Sequence, residues 1–165
     1  MINEGLKSAE VNDERYTPRY AVTPILEFIP KHYKVSLPFD TKGSYFYKVL
    51  VENGYDVKMG HIDDGKDFFD GDYNDCDIIV SNPPYSKKDQ VLKKLYEIGK
   101  PFMMLLPATT LSSKKRFELF SEYGVEILAF DKRIDYIEGK SNFFASAYFC
   151  WQVLPEKLVF RKLDK

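Results

Sequence analysis

The fold turns on one stretch, Cys76-Asp77-Ile78-Ile79-Val80-Ser81-Asn82-Pro83-Pro84-Tyr85. Its first six residues read as a strand buried on both sides, because an unbroken apolar run of strand length leaves no face for water. Pro83 and Pro84 then remove two backbone donors and stiffen the chain, so pairing stops there and nearby carbonyls must turn elsewhere. In an open α/β sheet such a strand end is where ligands gather.

Upstream, Val35-Ser36-Leu37 reads as a short strand running into Pro38-Phe39-Asp40, residues 44–53 as a helix stopped by Gly54, and 55–62 as a second strand closed by a turn at 63–66. Thr17-Pro18 and Thr23-Pro24 each suggest a capped helix start, with helical structure ending before Pro30. Downstream, Ser86 caps a predicted helix to about Ile98, stopped by Gly99 and Pro101, and 102–106 is another buried strand. Residues 111–123 form a basic amphipathic helix ended by Gly124, 125–130 a strand, and the aromatic stretch 133–160 β-structure closing the sheet. The alternation predicts an α/β fold: a doubly wound, mostly parallel sheet with an antiparallel edge hairpin. We expect residues 1–15 to be a flexible arm and 16–165 one domain with no separate target-recognition domain.

Composition narrows the function classes. The chain has 165 residues, 44% of them hydrophobic, and a net charge of −1, which excludes a disordered chain and a strongly basic coat protein. Its apolar runs are far short of the roughly 20 residues a membrane helix needs. The start has no signal-peptide pattern, and Cys76 and Cys150 have no metal or framework spacing, so a reducing cytoplasm is expected. Residues 1–82 carry 9 basic and 15 acidic groups, whereas 83–165 carry 15 and 10. The second half is the better candidate for facing a polyanion.

At the strand end, the Asn82 side-chain oxygen and the proline carbonyls make a rigid set of acceptors, and Tyr85 offers a flat face beside them. That set suits an exocyclic amino group on a heterocycle. A stiff strand-to-helix turn capped by Asn82 is the plainer alternative.

The run Ser81-Asn82-Pro83-Pro84-Tyr85-Ser86 resembles the Asn-Pro-Pro-Tyr signature of S-adenosylmethionine-dependent amino methyltransferases, N6-adenine DNA methyltransferases above all. Following an apolar strand and preceding a helix gives the match its context. The resemblance implies a Rossmann-like methyltransferase fold and catalytic roles for Asn82, Pro83, Pro84 and Tyr85. Asn82 and the Pro83 carbonyl would accept from the adenine amine, and Tyr85 would stack on the flipped base. The same signature occurs in methyltransferases acting on RNA adenine and on protein glutamine.

The resemblance extends, more faintly, to cofactor-binding positions. Tyr16-Thr17-Pro18 is similar to the segment that packs on the methionine end of S-adenosylmethionine, and equally reads as a capped helix start. Residues 35–44, including Pro38, Phe39, Asp40 and Ser44, stand where the family has its Gly-rich loop, with only Gly43 present. His61 and Ile62 stand where an acid ordinarily holds the ribose, with Asp63 and Asp64 just beyond. Asp67-Phe68 resembles the acid and aromatic that contact the cofactor adenine; a loop Asp beside a core Phe is the alternative. The layout is also similar to small phage-encoded proteins of this type, which act in a bacterial host.

Lys87, Lys88, Lys114, Lys115, Arg116 and Arg133 flank the expected mouth and are the candidates for nucleic-acid phosphates, solvated helix faces being the alternative. DNA is the expected partner, RNA the second choice, and a protein partner could supply target recognition. His32 and His61 lack ligand spacing, and no metal site is expected. The Gly-poor loop leaves a rival reading open: a non-catalytic protein that keeps the fold and binds nucleic acid or protein.

Overall fold

A short apolar strand needs cover on both faces, and in this chain helices supply it. The computed structural model describes residues 17–60, 65–137 and 143–165. Among the described residues seven strands form one sheet: β1 (Lys34–Leu37), β2 (Asp56–Met59), β3 (Ile78–Ser81), β4 (Phe102–Pro107), β5 (Glu126–Phe130), β6 (Ser146–Trp151) and β7 (Leu158–Arg161). The order across it is β2-β1-β3-β4-β6-β5-β7. The helices are α1 (Arg19–Val22), α2 (Tyr45–Glu52), α3 (Lys88–Ile98) and α4 (Lys114–Tyr123), with short 3₁₀ turns such as Thr23–Phe28 and Ala108–Leu111.

The period of two in each strand divides the core between the faces. Val35, Leu37, Ile78, Val80, Met103 and Leu105 pack with Ala21, Ile25, Phe46 and Leu50 on one side. Ile79, Phe102, Met104 and Leu106 pack with Val91, Leu92 and Leu95 of α3 on the other. Buried Tyr148 in β6 donates its hydroxyl to the Ala21 carbonyl at 2.6 Å, which fastens α1 to the sheet.

Helix limits follow the local signals in part: neither Thr17 nor Thr23 caps a helix, since Pro18 and Val22 hold those positions without a side-chain bond and Thr23 Oγ1 donates back to the Arg19 carbonyl. Ser44 caps α2 by accepting from Tyr47 N–H, and Gly99 ends α3 in the left-handed conformation. Ser86 does not cap α3, because a 3₁₀ turn, Tyr85–Lys87, intervenes between the prolines and the helix. The cap of α4 is Ser113, which accepts from Arg116 N–H, so that helix starts after a separate 3₁₀ turn rather than at Leu111.

The doubly wound sheet is as expected, but the antiparallel part is not an edge hairpin. β6 lies inside the sheet, antiparallel to both β4 and β5, and β7 lies beyond β5 and parallel to it. The connection between them therefore has to pass the start of β5. There the Glu126 carboxylate accepts from the backbone N–H groups of Gln152, Val153 and Leu154 at 2.7–3.1 Å. Gln152 has φ +56°, an uncommon value for a residue with a side chain. Glu126 thus acts as the post around which the chain turns. Replacing Glu126 with Ala strips three backbone donors of a charged acceptor and should cost roughly 2–4 kcal/mol, read from urea unfolding.

Candidate active site

The chain goes from β1 to one side of the sheet to make β2, and β3 lies on the other side of β1. The crevice outside the carboxyl ends of β1 and β3 is therefore the topological switch point. Both candidate segments, 38–40 and 82–85, emerge there.

Asp40 is the electrostatic centre of this crevice. It is 2% exposed, and Ser81 Oγ donates to its carboxylate at 2.5 Å. Burial pushes its pKa up to about 6, while hydrogen bonds from Ser81 and Ser44 favour the charged form. Ser44 thus serves two groups, donating to Asp40 and accepting from Tyr47 N–H at 3.2 Å. The loop owes its shape to these bonds. Gly43 has an ordinary φ, and a Cβ there would meet only Thr41 Oγ1 at 3.6 Å.

Asn82, 1% exposed, follows Ser81 directly. Its Nδ2 donates to Thr17 Oγ1 at 2.9 Å, which sets which way the amide faces. Thr17, the residue expected at the methionine end of a cofactor, is buried and accepts this bond, and Pro18 leads into α1. Pro83 is buried. The Pro84 carbonyl accepts from Lys87 N–H at 3.0 Å, so it closes the 3₁₀ turn. Tyr85 donates its hydroxyl to Tyr136 at 3.2 Å, and its ring meets Phe144 edge-on at 5.9 Å.

A cavity of about 290 Å³ opens at the ends of β1 and β2, lined by Pro38, Met59, Gly60, Asp67, Phe68 and Tyr73 among others. Asp67 Oδ1 accepts from Phe69 N–H at 2.9 Å, which makes it the cap of a short turn, Phe68–Asp70, at the cavity wall. Phe68 is buried and packs on Phe39 at 4.9 Å. Asp70 and Asp72 add carboxylates to the lining, whereas Lys58 is engaged by Asp75 at 2.9 Å. Tyr16, His61 and Ile62, with Asp63 and Asp64, lie outside the described residues.

Among the basic candidates, Lys87, Lys114, Lys115 and Arg133 are exposed and Lys88 is half-buried with Nζ on the Tyr85 carbonyl. Arg116 is a correction. It is 8% exposed and donates to Asp89, to the Thr110 carbonyl and to the Ser112 carbonyl, so it ties α4 to α3. Its guanidinium is spent on the fold. Sequence reasoning missed Ser81, Tyr136 and Phe144 as members of the site. Ser81 adjoins the motif and its small hydroxyl was a signal; Tyr136 and Phe144 come from 51 or more residues away and left none.

Several solved structures share this architecture, among them the following two. A protein from Listeria monocytogenes assigned as a class I S-adenosylmethionine-dependent methyltransferase superposes with a TM-score of 0.57 and 14% identity, over 93% of this chain and 67% of its own. The fold is that of a Rossmann-like methyltransferase. A modification subunit assigned to a type I restriction enzyme of Vibrio vulnificus gives 0.54 and 13% over 98% of this chain, which spans only 49% of that subunit. No protein-family profile matches the chain, and no curated protein does. Among the described residues no helix is long and apolar enough to cross a membrane.

Asp40 makes stability depend on pH in a defined direction. Its carboxyl pKa rises from 3.8 to about 6 in the native chain, so between those values the folded state holds a proton that the unfolded state has released. Stability from this group is therefore present at the acid end of the window and declines as pH rises through it, by about 3 kcal/mol. Asp40→Asn should remove that decline, its stability relative to the parent rising by about 2 kcal/mol or more from pH 4 to pH 7.5 in urea unfolding.

Proposed function

We propose that this chain transfers a methyl group from S-adenosylmethionine to an exocyclic amino nitrogen, with adenine N6 in DNA as the substrate. The observation that carries the reading is the buried Asn82 amide, fixed by Thr17 at the end of β3 and followed by Pro83, Pro84 and Tyr85; a separate cavity opens at the ends of the neighbouring β1 and β2.

The cavity residues fit an adenosine group. Pro38, Met59, Phe68 and Tyr73 give flat apolar walls, and Asp67, Asp70 and Asp72 give acceptors for an amine or ribose hydroxyls. When bound, S-adenosylmethionine supplies an electrophilic methyl group. The chain's own work is at the acceptor. Asn82 Oδ1 and the Pro83 carbonyl accept the amine hydrogens, which holds the nitrogen pyramidal and its lone pair out of ring conjugation. Tyr85 gives the base a face to stack on. Rate comes from this orientation and from acceptors already in place before the positive charge develops on nitrogen.

Two features support DNA as the acceptor. The Vibrio neighbour is assigned as a restriction-enzyme modification subunit, and Lys87, Lys114, Lys115 and Arg133 are exposed cations for phosphate. A protein partner for target recognition fits the same comparison.

The test is transfer of labelled methyl from S-adenosylmethionine to DNA, RNA and protein pools, alongside calorimetric binding of the cofactor. Label should appear in DNA as N6-methyladenine. Asn82→Ala should lower kcat by about 10²–10³ without changing the unfolding curve. Label in RNA or in protein glutamine instead would keep the chemistry and change the substrate. An absence of cofactor binding, with and without DNA, would replace the enzyme by a binding protein, the role the Gly-poor loop favours.

A further inference from the structure

The Tyr85 hydroxyl does not end at solvent. It donates to Tyr136 at 3.2 Å, and the Tyr136 hydroxyl donates to Ser146 Oγ at 2.7 Å. Tyr136 is 7% exposed and Ser146 5%, so the relay runs into the interior. Ser146 is the first residue of β6 and faces Pro107 across the β4–β6 ladder. Phe144 completes the cluster, edge-on to Tyr85 and stacked on Tyr136 at 6.2 Å. A rim tyrosine is thus braced at its far end by the central sheet.

We propose that Tyr136 is a positioning residue for Tyr85: anchored by Ser146, it holds the Tyr85 ring in the orientation in which it receives the target base. This rests on the reading of residues 82–85 as the amino-group site. A tyrosine free to rotate loses rotamer freedom when a base stacks on it; one already held has lost that freedom in folding. The gain is the same for ground and transition states, so it belongs in KM rather than kcat.

The experiment is a double-mutant cycle with Tyr85→Phe and Tyr136→Phe, which keep both rings and remove the hydroxyls. KM for adenine-containing DNA should rise about five-fold in each single variant, the effect of one hydrogen bond. Tyr136→Phe should keep kcat within about two-fold, and the double variant should be no worse than either single one. Multiplying effects in the double variant, or an unchanged KM in Tyr136→Phe, would overturn the proposal. A second arm needs no methyl transfer: quenching of a single strand carrying 2-aminopurine should require about five-fold more of each variant than of the parent chain. Equal quenching by all four proteins, or none by the parent, overturns the proposal. Weaker quenching by the variants alongside a parent that transfers no methyl keeps it and overturns the methyl-transfer reading alone. Should Tyr136→Phe fail to fold, Tyr85→Phe, at the rim, breaks the same link and the quenching comparison is made with it.

Discussion

The crevice depends on a carboxylate kept out of water. Asp40 leaves β1, is buried between Ser44 and Ser81, and so binds three pieces of chain: the loop after β1, the cap of α2 and the last residue of β3. Burial of a charge is costly unless donors surround it, and here the two donors come from the elements that must be aligned. Asn82 is the next residue along the chain, and Thr17 fixes it from the other side. The orientation of one amide thus follows from bonds spanning residues 17 to 82. Side-chain hydrogen bonds from Ser44 and Ser81 to Asp40 hold the loop around its one glycine, Gly43.

Much of the fold was legible in the sequence because its signals are local. The apolar runs at 78–80 and 102–106 and the glycines at 54, 99 and 124 mark elements within a few residues of themselves, and the structure has strands and helix ends there. The place of β6 was not legible. Strand order is decided by pairing at long range, and a terminal aromatic strand reads the same at an edge as in the middle of a sheet. Glu126 shows the difficulty: as sequence it is an acid starting a strand, and only the path of 152–154 around it gives it a role.

The candidate site divides in the same way. Asn82 to Tyr85 could be read as a unit because four adjacent residues carry the pattern. Arg116 was misjudged because a basic helix face says nothing about which cation turns inward to Asp89 and the Thr110 carbonyl. Asp40 was picked out by its place after β1, but its burial and its bond to Ser81, 41 residues on, are tertiary facts.

The interior position of β6 also orders events during synthesis. When the ribosome has delivered β1 to β5, β4 still has an open side, and β5 has neither of the strands it pairs with, β6 and β7. Three of the seven strands, β5, β6 and β7, must wait for residues 146–161. Contacts of such sequence separation are slow to form, and the unpaired β4 edge, made of Phe102 to Leu106, is a sticky surface in the meantime. A nascent chain that stalls or is cut before Ser146 therefore carries a complete Asn-Pro-Pro-Tyr sequence on a sheet that cannot close.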